Sequence, residues 1–280
     1  METLRPRHTG FCFGVRDALS LTSDALERSG EATALGQVVH NARALEHLEA
    51  RGLRQISTLP ADSPVPVVVT AHGATPELFR AAAERGLQLV DTTCPLVRRV
   101  QRHAEELRDQ QLPIVIVGHA GHQEVVGVAG WAGAASEGEV AIVATAEEAD
   151  ALPYRERRGV VCQSTFPQHE FRRIVERIER RSGTVEVRDT TCPVVNQRQR
   201  EATASLLEQV DVVVVVGGRG SANTVALAET CSALRPTYHV ESATEVRPGW
   251  FVKGQRIGIT SGTSTPGWVV DEVEEVCRAL

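Results

Sequence analysis

The sequence predicts an α/β protein built from three similar small modules, and three observations predict it. Helical and strand-like patterns alternate along all 280 residues. The strand-like segments are short, rich in Val and Ile and mostly apolar, as in parallel sheets covered on both faces. A five-residue identity, Asp-Thr-Thr-Cys-Pro, follows two separate strands 98 residues apart, at 91–95 and 189–193.

The elements follow in order. Gly14–Arg28 has the spacing of an amphipathic helix, closed by Gly30. Gln37–Val39 is an apolar run ahead of His40 and Asn41. Val67–Val69 reads as a strand. Thr75-Pro76 is an N-cap and first-turn signal for a helix ending at Gly86. Strands follow at Leu87–Val90, Ile114–Val117, Val140–Val143 and Val160–Cys162. Phe166–Arg181 is a charged helix, read as closed by Gly183. Val185–Val187, Val212–Val216 and Ile257–Ile259 complete the strands. The two Asp-Thr-Thr-Cys-Pro segments, with Gly10-Phe11-Cys12-Phe13-Gly14, give one cysteine per module. The modules are placed at 13–94, 95–189 and 190–280 with 1–12. No linker rich in Pro, Gly or Ser separates them, so they are expected around a common centre.

Composition excludes several classes. Apolar residues make up 42% and charged residues 24%, enough for a packed core. A net charge of −6 argues against a nucleic-acid protein held by a basic field. The longest apolar runs, Val140–Ala144 and Val212–Val216, fall far short of the ~20 residues a spanning helix needs, so no membrane role is expected. The segment METLRPRHTG has no apolar signal-peptide core, which points to the cytoplasm and to reduced cysteines.

In open α/β sheets, ligands bind beyond the carboxyl ends of the strands. Nearly every strand here ends in Cys, His, Ser, Thr or Asn. Cys12, Cys94 and Cys192 sit in turns bounded by Gly or Pro. Three thiolates suit an iron–sulfur cluster with one iron left open, or a zinc site with one open position; core thiols are the remaining alternative. Cys162 ends a buried strand. Cys231, spaced with Leu227 and Leu234, and Cys277, spaced with Val273, Val276 and Leu280, read as core positions. His40, His72 and His122 follow strands and together offer imidazole donors to an anion. His119 and His122 also have a spacing open to metal ligation. Glu124 stands two residues beyond His122. GGRGSANT at 217–224 and SGTSTP at 261–266 offer backbone amides with Ser221, Asn223 and Ser264, two anion cradles that suit a diphosphate. Neither is a dinucleotide or Walker A fingerprint.

GFCFGV at 10–15, VVHN at 38–41, AHG at 71–73, TCPLV at 93–97, GHxxHxE at 118–124 and Arg198-Gln199 resemble the LytB-type 4-hydroxy-3-methylbut-2-enyl diphosphate reductases over essentially the whole chain. The resemblance implies a trefoil of three α/β modules around a [4Fe–4S] cluster held by Cys12, Cys94 and Cys192. It implies that His40, His72, His122, Ser221, Asn223 and Ser264 hold an allylic diphosphate. Glu124 matches a proton-delivering glutamate, and Ser164 stands where a threonine hydroxyl is usual. The implied reaction removes the substrate hydroxyl to give isopentenyl and dimethylallyl diphosphates, with electrons from a donor such as ferredoxin or flavodoxin.

The chain departs from the family pattern at Val194-Val195 (commonly Ala-Thr), Ala222 (often Ser), Ser164, Gln123 (usually Pro) and Val225 (commonly basic). These changes thin the polar lining of the pocket. Two other readings stay open at this stage: a divergent paralogue reducing another hydroxylated substrate, and a non-redox protein in which the thiolates bind zinc and the cradles an anion.

Overall fold

The structure is a computed structural model and describes residues 1–6, 9–39, 41–133, 140–193 and 199–280. The chain divides into two compact units. One comprises Met1–Leu19, Val39–Arg51 and Pro193–Leu280; the other comprises Ser20–Val38 and Gly52–Cys192.

The second unit holds two four-stranded parallel sheets. One has the order β3 (Leu53–Ile56), β2 (Ala32–Leu35), β4 (Val67–Val69), β5 (Leu89–Asp91). The other has the order β7 (Val140–Val143), β6 (Ile114–Val117), β8 (Arg155–Cys162), β9 (Ser182–Val187). The first unit holds a third parallel sheet, read in the same sense as β11 (Thr237–Val240), β10 (Val212–Val216), β12 (Arg256–Ser261), β1 (Glu2–Leu4). All three sheets therefore share one topology.

The apolar strands are apolar because helices cover both faces. In β6, Ile114 and Ile116 pack with Val100, Ala104 and Leu107 of α4 (Pro95–Asp109) and with Val125 and Val128 of α5 (Gln123–Trp131). The alternate residues Val115 and Val117 pack with Phe171, Ile174 and Ile178 of α7 (Gln168–Arg180). In β10, Val212, Val214 and Val216 face Val269, Val270 and Val273 of α10 (Gly267–Ala279). Val213 and Val215 face Leu206 of α8 (Gln199–Leu207) and Leu227 and Cys231 of α9 (Ala222–Ser232). Each such buried Val or Ile stabilises the fold by roughly 1.5–3 kcal/mol. No helix among the described residues is long and apolar enough to cross a membrane.

Most expected elements are present. The first helix, α1, runs Phe13–Ser29 and Gly30 follows it; α3 runs Pro76–Glu84 with Thr75 accepting from the Leu78 amide. Four assignments need correction. Gln37–Val39 is a loop in which Val38 and Val39 are buried, because the strand lies upstream at Ala32–Leu35. Gly183 does not close a helix. It is the second residue of β9, and a Cβ there would meet the Glu156 carbonyl oxygen at 2.7 Å, so glycine permits the close approach of β9 to β8. Phe166 lies ahead of α7, in the core. Leu234 lies beyond α9 and is 62% exposed, so Cys231 shares its core with Leu206, Leu207 and Leu227 instead. Short, partly polar β1, β2, β3 and β11 have no counterpart among the expected strands.

Candidate active site

Parallel strands send all their carboxyl ends to one edge of a sheet, and the candidate residues lie on the loops there. The common topology gives each sheet three equivalent loops.

The loop after the outer strand β5, β9 or β1 carries Cys94, Cys192 or Cys12. The Cys94 N–H donates to the Ala71 carbonyl (3.1 Å), the Cys192 N–H to that of Ser164 (2.6 Å) and the Cys12 N–H to that of Thr263 (3.0 Å). Each acceptor lies two residues beyond the end of the neighbouring strand, β4, β8 or β12. The three cysteines thus occupy one structural position in three copies. The repeated Asp-Thr-Thr-Cys explains two of them. Asp91 Oδ1 accepts from the Thr93 N–H (2.9 Å) and Oγ1 (2.5 Å); Asp189 Oδ1 accepts from the Thr191 N–H (3.1 Å) and Oγ1 (2.6 Å). The preceding threonines turn inward, where Thr92 Oγ1 donates to the Val69 carbonyl and Thr190 Oγ1 to that of Cys162. Each carboxylate fixes the turn that presents the cysteine. Arg98 and Gln168 hold the other oxygens of Asp91 and Asp189.

No disulfide joins any of the six cysteines, all of which are among the described residues. Cys162, Cys231 and Cys277 are fully buried in apolar surroundings. Burial pushes their thiols up, Cys231 and Cys277 to about 11 and Cys162 well above the usual range. Those three are held neutral, in keeping with the core positions expected of them.

The loop after β2, β6 or β10 ends in a helix cap. Asn41 caps α2 (Ala42–Glu49), His122 caps α5 and Ser221 caps α9, each side chain accepting from a helix amide. His40, the neighbour of Asn41, lies outside the described residues, as do Val194, Val195 and Arg198. The loop after β4, β8 or β12 carries His72, Ser164 or Ser264.

Within the second unit, four candidates meet. The rings of His72 and His122 stand edge to face with centroids 5.4 Å apart. Thr70 Oγ1 lies 3.3 Å from His72 Nδ1. Gly73, at φ 75°, lets this loop lie against Gln101, whose Nε2 would stand 2.3 Å from a Cβ. Glu124, only 1% exposed, accepts from the Ser164 N–H at Oε1 (2.6 Å) and from Ser164 Oγ at Oε2 (2.9 Å). Burial pushes its carboxyl up to about 7, and the two Ser164 hydrogen bonds work against that rise. The Ser164 carbonyl in turn holds Cys192. His119 instead packs against Phe166, the two rings tilted and their centroids 5.4 Å apart, and its amide donates to Gln163 Oε1. No three His, Cys, Asp or Glu side chains among the described residues group around a single-ion site.

Within the first unit, Ser264 Oγ donates to Ser221 Oγ (3.3 Å), and Asn223 Nδ2 donates to Thr263 Oγ1 (3.0 Å), next to the carbonyl that holds Cys12. The clamping Asp91 and Asp189, the inward Thr92 and Thr190, and Gln163 were not singled out from sequence. The repeated Asp-Thr-Thr-Cys was the signal available for the first four.

The LytB protein family model matches residues 4–278. The 4-hydroxy-3-methylbut-2-enyl diphosphate reductase of Geobacter sulfurreducens is 39% identical over 98% of this chain and 96% of that protein. The enzyme of the same name from Geobacter metallireducens is 36% identical over 100% and 98%. A solved structure of (E)-4-hydroxy-3-methyl-but-2-enyl diphosphate reductase, the terminal enzyme of the non-mevalonate pathway, superposes with a TM-score of 0.78 at 32% identity, covering all of both chains. The chain belongs to the LytB protein family.

Proposed function

We propose that this chain reduces 4-hydroxy-3-methylbut-2-enyl diphosphate, replacing its hydroxyl by hydrogen to give isopentenyl and dimethylallyl diphosphates. The observation that carries the reading is the buried Glu124–Ser164 pair beside His72 and His122. The full-length identity to reductases of that name supports the substrate.

A reductase needs a redox cofactor. The donor set fits a [4Fe–4S] cluster: three thiols, one from each copy of the same loop, distinct from three thiols held neutral in the core. Cys12, Cys94 and Cys192 would hold it, leaving one iron open. When bound, the cluster supplies electrons singly and a Lewis-acidic iron.

The chain's own residues supply the proton chemistry and the grip. Hydroxide is a poor leaving group, so protonation must accompany its departure. A carboxyl at about 7 is half protonated at neutral pH and suits a general acid. Ser164 Oγ, bonded to Glu124 Oε2, positions that proton and can pass it on. Two electrons and two protons enter, and water leaves. His40, His72 and His122, with Ser221, Asn223 and Ser264, hold the diphosphate. The three sheets are read as the three modules. The electron donor is a small carrier of the ferredoxin or flavodoxin kind.

Anaerobic reconstitution with iron and sulfide, followed by turnover with the allylic diphosphate, tests the reading. A brown protein that forms both products is expected. A protein that binds only zinc and forms neither overturns it.

A further inference from the structure

We propose that His122 meets the diphosphate as a neutral imidazole, donating through Nε2, and that helix α5 enforces this state. The inference rests on the placement of the diphosphate given above. It concerns the charge with which the site greets its anion.

His122 is the N-cap of α5, with extended backbone (φ −63°, ψ 133°). The Glu124 N–H donates to His122 Nδ1 at 3.2 Å. A backbone amide can only donate, so Nδ1 must keep its lone pair. A neutral imidazole carries one N–H, and here it falls on Nε2. Charging the ring would put a proton on Nδ1, facing the amide hydrogen, and would give up the cap. Two neighbours act the same way. The positive end of α5 disfavours a cation at its first turn. The His72 ring stands edge-on 5.4 Å away, where a second cation would repel the first. The Glu124 carboxylate and the bound anion are the groups named here that favour a cation. The carboxylate oxygens are turned to the Ser164 N–H and Oγ, while an anion held at Nε2 does not restore the cap that a proton on Nδ1 would cost.

The equivalent caps behave alike. Asn41 Oδ1 accepts from the Ala44 N–H, and Ser221 Oγ accepts from the Thr224 N–H. Each cap spends an acceptor on its own helix and still carries a donor. At His122 and Ser221 the device converts a helix cap into an uncharged anion donor. In α5 it also ties the ligand to the Glu124 amide through a single ring.

The test uses reconstituted protein with ¹⁵N-labelled histidine, observed with and without the allylic diphosphate, His122 being identified by comparison with His122→Asn. One protonated and one unprotonated ring nitrogen is expected in both states, with Nε2 shifting on binding. Two protonated nitrogens in the complex would overturn the proposal. No response of His122 to the diphosphate would overturn the placement of the ligand and the proposal with it. His122→Asn supplies a second reading. Asparagine restores the cap, so thermal stability should hold. Its shorter amide does not reach the position of Nε2. Affinity for the diphosphate should fall about 10- to 150-fold, the equivalent of one hydrogen bond to a charged group, while affinity for the free alcohol stays unchanged. Unchanged diphosphate affinity would overturn the donor role.

Discussion

Ser164 holds both oxygens of Glu124, one with its backbone N–H and one with its hydroxyl, at 2.6 and 2.9 Å. The pairing fixes where this carboxyl can deliver a proton. Glu124→Gln preserves shape and much of the hydrogen bonding but carries no acidic proton. The variant should keep its iron and its affinity for the substrate and lose turnover by ~10²–10⁴-fold, the usual contribution of a general acid. Steady-state rates under anaerobic conditions check this; near-normal turnover removes Glu124 from the chemistry.

The same carboxyl leaves a mark on stability. Burial raises it from the ordinary 4.5 to about 7, so the folded chain holds this proton more tightly than the unfolded chain. Its contribution is complete below pH 4.5 and is lost as pH rises through about 7. Denaturant titrations should show the parent losing on the order of 3 kcal/mol over that window relative to Glu124→Gln. Parallel stability profiles for the two proteins would show that the carboxyl titrates normally.

Ser164 can be separated from its backbone. Ser164→Ala keeps the amide hydrogen bond to Oε1 and deletes the one to Oε2. A hydrogen bond to a charged group is worth ~1.5–3 kcal/mol, so turnover should fall about 10- to 150-fold, less than the largest loss expected for Glu124→Gln. Ser164→Thr retains the hydroxyl and should stay close to the parent. Equal losses in Ala and Thr variants would point to packing.

The strand ends were legible because chemistry-bearing residues interrupted apolar runs: Thr70 and His72 after Val69, Gln163 and Ser164 after Cys162. The buried strands were legible because both faces are covered, which leaves a continuous apolar run such as Val212–Val216. The missed strands are those where that reason fails. Glu2–Leu4, Leu53–Ile56 and Thr237–Val240 lie at sheet edges and carry polar residues. Ala32–Leu35 is inner, but two of its four residues are alanines and one is a threonine. The carboxylate clamps at Asp91 and Asp189 were invisible for another reason: a hydrogen bond to a residue two positions on leaves no periodicity. Only the repeat of the whole Asp-Thr-Thr-Cys marked them.

The cysteines divide by environment, and the division is testable one residue at a time. Cys12, Cys94 and Cys192 hang from equivalent carbonyls at three strand ends. Cys162, Cys231 and Cys277 lie in apolar cores with raised pKa values. Single Cys→Ser changes in the first group should lower bound iron and sulfide. Those in the second should leave iron content intact and cost only stability, since a hydroxyl replaces a buried thiol. Full iron retention in Cys94→Ser would break the assignment.

The last prediction concerns what the site grips. Ser264 and Ser221 share a hydrogen bond, Asn223 reaches Thr263, and His72 faces His122. All are uncharged or weakly basic donors, which suits an anion bound through many hydrogen bonds. By the family resemblance Val195 stands where a hydroxyl is common, and six other candidate donors are assigned. A charge-assisted hydrogen bond contributes roughly 1.5–3 kcal/mol, so losing one weakens such a grip without abolishing it. Losing the diphosphate itself removes them all. Titrating the reconstituted protein side by side with the allylic diphosphate and with its free alcohol should show the diphosphate binding tighter by orders of magnitude. Val195→Thr should tighten the diphosphate further and leave the alcohol unchanged. Equal affinity for both compounds would mean that these donors serve another ligand, and that the chain reduces a substrate without the diphosphate.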